Sequence, residues 1–452
     1  MMVGRVSKKM KNVVGKMHCP VDVRPGPTIR QLYADQAAAY TQRRWAVNVF
    51  LGRSLHMSMS NFFIRSFTIH GMCIDETGTL NAMLRKSQGL EVLDMYNNHI
   101  PDNKIGDVFE AIPPSLRVLK LTRQWIHRSA VTPLCELLTR LVLLRELDLS
   151  ENYLNSQGMQ ALTASITSPH VRHLSLRFNH LRSRFMHEYS PLGLQRFMLK
   201  ELDLSHNLLQ SVQGDSMYAC IRNSAGLLTK LDVSFNDLRV GGVSYLSTAL
   251  SHNYALRHLN VAGNLCGDAA MALLFAVIHP HMHVHDKGCL ALESLHVGHN
   301  NLTCASAVVF QRTLFGNEVL QKSLSDVSFS NNDLNDRGAM LVIEALLPCD
   351  MKKIALAHCV MGETAGMCLA GTMLYWPNIA DVDVHGNHLC DTSLVLMARA
   401  LTENNTDTIR MQFIGNWVTK DSYTQITEIL ETQKDEKKIT CVNHTTPVLS
   451  PV

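Results

Sequence analysis

Four histidines at alternate positions stand out as residues whose type and spacing could do chemistry. His279, His281, His283 and His285 lie in the stretch IHPHMHVHDKGC, which ends on Cys289. Imidazole and thiolate are the ligands that zinc prefers in proteins, and alternate side chains of an extended segment point to one side. Side chains along one edge rarely converge on a single ion without ligands from elsewhere in the fold. We therefore expect residues 279–289 to be a surface loop rather than a dedicated metal site.

Sequence signatures of catalysis are missing elsewhere in the chain. The sequence contains no Walker A loop, no dinucleotide-binding glycine pattern, no HExxH zinc helix and no GxSxG nucleophile turn. With 22 histidines, a chance grouping of Ser, His and Asp would carry little meaning. The sequence predicts a protein that is not an enzyme and that binds no cofactor.

The charge and cysteine content limit the class of protein. A formal charge of +3 on 452 residues gives no electrostatic case for nucleic-acid binding. The 12 cysteines form no CxxC pair, which favours a reducing, intracellular compartment, cytoplasmic or cytoskeletal. No apolar run is long enough to span a bilayer. Residues 1–27 are basic and are expected to be a disordered N-terminal segment, with mitochondrial import as the alternative.

One template recurs along most of the chain. LRELDLSENYL at 144, LKELDLSHNLL at 199 and LTKLDVSFNDL at 228 share the pattern LxxLxLxxNxL. The same frame, with weaker copies included, recovers about 13 units between residues 64 and 418, most of them 26 to 29 residues apart. The unit that begins at 256 is followed by the next only at 292, and the extra residues are those of the histidine loop.

Each unit predicts a short strand, a turn and a helix. In LDLS, the alternation sends Leu147 and Leu149 inward and Asp148 and Ser150 outward. The second half of each unit spaces its apolar residues as an amphipathic helix does. Because one unit cannot bury both a strand face and a helix stripe, the units must stack.

This pattern resembles the leucine-rich repeat family, and the long, partly helical repeat is similar to its ribonuclease-inhibitor-like subclass. The resemblance implies an α/β leucine-rich repeat solenoid, a horseshoe with a parallel β-sheet on the concave face, helices on the convex face and about 13 repeats. The array is expected over 64–430, with a helical N-terminal cap at 28–63, the loop insertion at 279–289 and a polar C-terminal tail at 431–452.

The asparagine column predicts a buried ladder, because an Asn amide can both donate to and accept from backbone groups in a tight turn. Met72, Gln124 and Cys359 depart from it, which puts the local turn geometry in doubt. The predicted ladder comprises Asn98, Asn152, Asn179, Asn207, Asn236, Asn264, Asn300, Asn332, Asn387 and Asn416.

Function in such an architecture is expected on the concave face or on loops. Asp and Ser in LDLS are common solvated residues, but exposed aromatic and Arg side chains would suit a partner groove. Trp125 and Trp417 lie beside the Asn column and are as consistent with packing. The candidate partner-binding residues are Tyr96, Asp148, Arg177, Phe178, Asp203, His206, Asp232, Phe235, His296, His299 and His385.

The resemblance and the missing catalytic signatures together predict a protein-protein interaction scaffold. We expect a monomeric component of a larger intracellular assembly, whether cytoskeletal, flagellar or regulatory, that binds an unidentified protein partner. The alternative is a GTPase-activating regulator similar to the Ran GTPase-activating proteins, although the acidic tail typical of those proteins is missing here. A metal protein built on the histidine loop is a further alternative.

Overall fold

A computed structural model describes residues 21–23, 65–71, 77–181, 193–209, 215–278, 290–404, 406, 408–431 and 438–441. The predicted cap at 28–63, the histidine loop at 279–289 and most of both terminal segments lie outside the described residues. The chain divides into two compact units, Met1–Asn207 and Leu208–Val452.

The first unit alternates short strands with helices, and each strand pairs in parallel with the next along the chain. A 3-10 turn at Leu194–Arg196 precedes its last strand. Its described elements are β1 (Val21–Val23), β2 (Ser66–His70), α1 (Gly78–Lys86), β3 (Val92–Tyr96), α2 (Asp102–Ala111), β4 (Val118–Thr122), α3 (Arg128–Arg140), β5 (Glu146–Asp148), α4 (Ser156–Ser165), β6 (His173–Ser175) and β7 (Glu201–Asp203).

The second unit repeats the same alternation, again with consecutive parallel strands. Its described elements are α5 (Asp215–Asn223), β8 (Lys230–Asp232), α6 (Arg239–Leu250), β9 (His258–Asn260), α7 (Gly267–Ile278), β10 (Ser294–His296), α8 (Cys304–Leu314), α9 (Glu318–Ser323), β11 (Asp326–Ser328), α10 (Asn335–Leu346), β12 (Lys353–Ala355), α11 (Glu363–Met373), β13 (Asp381–Asp383), α12 (Asp391–Thr402), β14 (Thr408–Gln412), α13 (Lys420–Glu431) and β15 (Lys438–Cys441).

The leucines of the template form the core, which confirms the solenoid fold and the inward placement of the strand leucines. Ser150, predicted to face outward, is instead only 6% exposed and hydrogen-bonds to Ser175. Leu147 and Leu149 are fully buried, while Asp148 between them is half-buried. Leu147 pairs with Leu119 of the preceding repeat and with Leu174 of the next. Equivalent side chains of successive repeats are thereby stacked in rows.

The asparagine side chains link the backbones of neighbouring repeats. Asn152 Nδ2 donates to the Leu121 carbonyl of the preceding repeat at 2.8 Å, and its Oδ1 accepts from the amides of Gln124 and Ile126 at 3.0 and 3.1 Å. The same donation to the preceding repeat is made by Asn98, Asn179, Asn207, Asn264, Asn300, Asn332, Asn387 and Asn416. Asn236 accepts from the Leu209 amide at 3.0 Å.

Two of the residues that replace Asn at a ladder position still donate a hydrogen bond to the preceding repeat. Gln124 Nε2 donates to the Met95 carbonyl at 2.9 Å, and Cys359 Sγ donates to the Phe329 carbonyl at 3.4 Å. The accepting half is weaker, because Gln124 Oε1 is buried with no partner and a thiol sulfur accepts poorly. Met72, the third departure, lies outside the described residues.

Some elements differ from the sequence expectation. β1 lies in the segment expected to be disordered and β15 in the segment expected to be a tail, and each extends the sheet by pairing with a repeat strand. The short helix α9 follows α8 within the repeat that begins at residue 292, a second helix that the repeat pattern did not predict.

Two helix glycines allow close packing between neighbouring repeats. A Cβ at Gly338, in the first turn of α10, would lie 3.0 Å from Cys304 Cα, and one at Gly158 would lie 3.2 Å from a Val131 methyl group. Gly78 opens α1 but would meet nothing within 4 Å. Close packing therefore accounts for Gly158 and Gly338 and not for Gly78.

We predict opposite effects for two Gly-to-Ala substitutions in the second unit. Gly338→Ala pushes against the backbone of α8 and should cost about 1 to 3 kcal/mol. Gly371→Ala, in α11, meets no atom within 4 Å and should stabilise the helix by about 1 kcal/mol, since Ala has the higher helix propensity. Urea midpoints of the two variants measure both effects, and a destabilised Gly371→Ala variant would contradict the packing argument.

Aspartates at helix starts join neighbouring repeats in the second unit. Asp268, in the first turn of α7, accepts from the Thr303 amide at 2.9 Å, from the Thr303 hydroxyl at 2.7 Å and from the Ser306 hydroxyl at 2.5 Å. Asp391 makes the same pair of contacts with Thr419. Burial alone would raise the pKa of Asp268, but these hydrogen bonds outweigh it and lower the pKa.

This lowered pKa predicts a pH-dependent effect of Asp268→Asn. A carboxyl whose pKa is lower in the folded state stabilises the fold above its unfolded pKa, about 3.9, and loses that contribution as the pH falls through the folded value. At pH 7 the substitution should cost about 1 kcal/mol through weakened hydrogen bonds. The difference in urea midpoint from wild type should shrink between pH 5 and pH 3; a difference that stays constant over this range would contradict the assignment.

Candidate binding surface

The predicted acidic residues lie on the open sheet face, which we define as the outward strand side chains within each unit. Asp148 and Asp203 in the first unit and Asp232 in the second each accept from the amide of the serine two residues later, at 2.9 Å. The hydroxyls of Ser205 and Ser234 donate to the same carboxylates at 2.7 and 2.6 Å. These aspartates are thus held by serines of their own repeats, and Asp232 also accepts from Asn260 Nδ2 of the next repeat at 2.9 Å. Such contacts within the chain need no binding partner.

A lysine offsets the negative charge in the first unit. Lys120 Nζ lies 2.7 Å from Glu146 Oε1. Burial alone would lower the pKa of Lys120, but Glu146 and the charges of Asp94 and Asp148 raise it. The open sheet face here presents a mixed rather than an acidic surface.

The second unit places histidines against carboxylates. His296 Nε2 lies 3.1 Å from Asp326 Oδ1, and His385 Nδ1 lies 2.5 Å from Asp383 Oδ1. The rings of His358 and His385 meet edge to face, with centroids 4.7 Å apart. Each pair fixes the orientation of an imidazole on the open sheet face.

A column of residues with left-handed backbone geometry runs beside the ladder. We call it the turn column: it comprises the residue directly before each ladder position, and every described member has φ between 50° and 75°. Gly, Asn and His tolerate this region, but a bulky aromatic residue there is an outlier. The members are Gly71, Asn97, Arg123, Glu151, Phe178, His206, Phe235, Gly263, His299, Asn331, His358, Gly386 and Gly415.

Phe178 and His206 form a stacked pair in the first unit. Their ring centroids lie 4.0 Å apart with planes 13° from parallel, and the Arg177 guanidinium lies 5.0 Å from the Phe178 centroid. Phe178 remains 37% exposed despite these contacts. Tyr96, equally exposed, meets only the edge of the His70 ring at 5.7 Å among the described aromatic contacts.

In the second unit, a glycine gives Phe235 its position. The Phe235 ring lies over Gly263, where a Cβ would come within 2.6 Å of it, and its centroid is 5.5 Å from that of His299. Burial, with a smaller contribution from the charge of His358, lowers the pKa of His299. The structure therefore brings two of the candidate residues, Phe235 and His299, together across an intervening repeat.

A ring stack near the turns was not predicted as a site. Trp125 and Tyr153 stack with centroids 5.7 Å apart, Tyr153 and His180 with centroids 5.9 Å apart, and His127 lies 4.8 Å from Tyr153. Trp125 is 43% and Tyr153 45% exposed, so neither is a core packing residue. The signal was present in the sequence, since Trp125, Tyr153 and His180 all directly follow the ladder position.

No metal site emerges from the residues that the structure describes, in which no three His, Cys, Asp or Glu side chains group as ligands. The histidine loop lies outside them, and its expected metal-free state stays a prediction. Among the described helices, none has the length and apolar character to cross a membrane.

Comparison with known sequences places the chain among repeat proteins. A Leucine Rich repeat family model matches residues 142–162 and 227–247. The chain is 23% identical over 385 residues to the ribonuclease inhibitor of Sus scrofa, a match that covers 83% of this chain and 81% of the relative. It is 24% identical over 341 residues to human NACHT, LRR and PYD domains-containing protein 14, covering 74% of this chain but only 30% of that protein.

A solved structure agrees on the fold. A chain in the crystal structure of the Rad7 and Elc1 complex in yeast superposes with a TM-score of 0.53 at 15% identity, over 90% of this chain and 94% of that one. At this identity the likeness bears on the fold alone.

Proposed function

We propose that the chain, which is similar to leucine-rich repeat proteins of the ribonuclease-inhibitor-like subclass, is a non-catalytic scaffold that binds a protein partner through its open sheet face and the adjoining turn column. The observation that carries the proposal is the placement of Phe178 and Phe235. Each is a bulky ring held exposed in a left-handed backbone conformation that costs about 1 to 2 kcal/mol. Strain at exposed aromatic residues is typical of binding sites.

The neighbours of the two phenylalanines support the same role. Arg177 is exposed beside Phe178, and His299 is exposed beside Phe235. Aromatic and Arg side chains are enriched among the few residues that dominate the energetics of protein interfaces. The locally satisfied aspartates of the open sheet face would contribute complementarity rather than most of the affinity.

We also propose an intracellular setting, as part of a larger cytoskeletal, flagellar or regulatory assembly. Eight described cysteines carry free thiols, four of them deeply buried. Burial raises the pKa of Cys220, Cys266, Cys349 and Cys359 to about 12, so these thiols resist oxidation. Free thiols in this number suit a reducing compartment.

The test is affinity purification of the tagged full chain from its native cells, followed by mass spectrometry. Wild type is compared with an Arg177→Glu, Phe235→Ala variant and with a Tyr245→Ala control, whose side chain is 59% exposed on α6. A stoichiometric partner should be lost from the first variant and kept by the control, with circular dichroism unchanged in both. Loss from the control alone would place binding on the helices and overturn the proposal.

A further inference from the structure

The ring stack of the first unit has the composition of a docking ridge. We define the aromatic ridge as Trp125, His127, Tyr153 and His180, contributed by three successive repeats. Trp125 and His180 have φ of 57° and 54°, so two of the four rings depend on left-handed backbone. An exposed, conformationally costly row of rings is not explained by packing of the core.

Two shallow grooves flank Tyr153. One, of about 320 Å³, is lined by Arg123, Trp125, Glu151, Phe178 and His180 among others. The other, of about 210 Å³, runs between the starts of α3 and α4 and includes Arg128. Tyr153 borders both grooves, so a bound segment could cross the ridge and fill each side.

The charge around the ridge is predominantly positive. Arg123, Arg128 and Arg177 are exposed, and no ion pair within the described part of the chain engages them. Glu151 is the acidic residue that lines the grooves. The start of α3 adds to this potential: its cap residue His127 makes no side-chain hydrogen bond to the first turn, and that turn holds no acidic residue.

The ring spacing argues against a nucleic acid. Stacked bases lie about 3.4 Å apart, so a base inserted between two rings needs about 7 Å. The centroids of neighbouring ridge rings are only 4.8 to 5.9 Å apart, which leaves no room for a base between them. Exposed aromatic rings and guanidinium groups together suit a polypeptide with apolar and carboxylate side chains.

We propose that the aromatic ridge docks an acidic protein segment, with an aromatic or large aliphatic anchor in the groove beside Trp125 and Phe178 and carboxylates against Arg123 and Arg128. This inference rests on the proposed protein-binding function and gives its partner a chemistry. It also adds a partner contact outside the open sheet face, on the aromatic ridge beside the turns of the first unit.

The test pans a phage library of random 12-residue peptides on the immobilised full chain. Enriched peptides should carry net negative charge and an aromatic or large aliphatic residue. Their dissociation constants, from fluorescence anisotropy of labelled synthetic peptides, should rise at least tenfold for Trp125→Ala and for Arg123→Glu, and the affinity should fall with salt. Trp125→Phe should restore most of the affinity, which separates ring loss from misfolding.

Matched controls are available in the second unit. Trp417 is 62% exposed and stacks on His388 at 4.9 Å in the same repeat position, and Arg312 is exposed on α8. Trp417→Ala and Arg312→Glu should leave peptide binding unchanged.

Several outcomes would overturn the proposal: no enrichment, neutral or basic enriched peptides, equal binding to the Trp125→Ala variant, or displacement of the peptides by a 12-nucleotide single-stranded RNA. If the enriched peptides bound more weakly only to the Phe235→Ala variant, the aromatic ridge would be excluded as their binding site. The open sheet face and its turn column would then remain as the binding site. If the Phe235→Ala and Trp125→Ala variants both kept the cellular partner, both proposals would be contradicted.

Discussion

Asn300→Ala is expected to lower the free energy of unfolding of the second unit by about 3 kcal/mol. The fully buried Asn300 side chain donates to the Val261 carbonyl at 3.0 Å and accepts from the Asn264 amide at 2.9 Å. Alanine leaves both groups buried without a partner, and each such group costs about 1 to 3 kcal/mol. Because repeat arrays unfold locally, the loss should also appear as faster hydrogen exchange in β9, β10 and β11.

A neighbouring residue supplies the control. Asn301 is exposed and has φ of 55°, so Asn301→Gly removes an amide where glycine is well tolerated. Its free energy of unfolding measured in urea should stay within about 0.5 kcal/mol of wild type. If Asn300→Ala matched Asn301→Gly in midpoint and exchange, the ladder would not hold the repeats together.

The converse substitution should stabilise the fold. Cys359 occupies a ladder position with a thiol that donates to Phe329 at 3.4 Å but accepts weakly from the backbone. Cys359→Asn adds a carbonyl oxygen that can accept from the Asn332 amide of the preceding repeat. We expect a gain of about 1 kcal/mol in urea unfolding. A loss instead would mean that the turn has adapted to the cysteine.

Much of the fold could be predicted from sequence because the main contacts are made by the same few positions in every repeat. Leu147, Leu149 and Asn152 occupy fixed positions in the unit, and stacking places each beside its own equivalent, so one good repeat predicts the rest. Even Gln124 and Cys359 keep the donation to the preceding repeat, because the stacked backbone presents a carbonyl whatever the side chain.

The site could be predicted only in part, since it depends on contacts between different repeats. The sequence indicated Phe178, Phe235, His206 and His299 as candidate binding residues, but it did not show that they share a left-handed turn. That geometry arises from the ladder and not from the propensity of Phe. Tyr153 was missed for the same reason, because its importance comes from stacking on rings 28 residues before it and 27 after it.

The pairing of β1 and β15 with the array was also outside the reach of the repeat template. Neither strand carries the LxxLxL pattern, since VDV and KITC are short segments without a ladder asparagine. They pair because the outermost strand of a parallel sheet offers unpaired backbone groups to any extended neighbour. Such pairing is decided by an available edge rather than by the sequence of the added strand.

Phe235→Gly should separate binding from stability. Glycine removes a left-handed cost of about 1 to 2 kcal/mol but adds about 0.5 to 1 kcal/mol of backbone entropy and loses the contacts of a ring that is already 39% exposed. The free energy of unfolding measured in urea should therefore change by less than about 1 kcal/mol. Binding to the partner recovered with the wild-type chain should weaken at least 30-fold, about 2 kcal/mol, because an interface aromatic anchor is lost.

Asn331→Gly is the matched control, since Asn331 belongs to the same turn column and unit, with φ of 58°, but carries no ring. It relieves the same backbone conformation and should leave binding within twofold of wild type, as measured by surface plasmon resonance on the same partner. If Phe235→Gly bound as well as Asn331→Gly, the strained ring would have no interface role. If it unfolded instead, the ring would be a packing residue, because exposed strain retained without a folding benefit is what distinguishes a binding anchor from a core side chain.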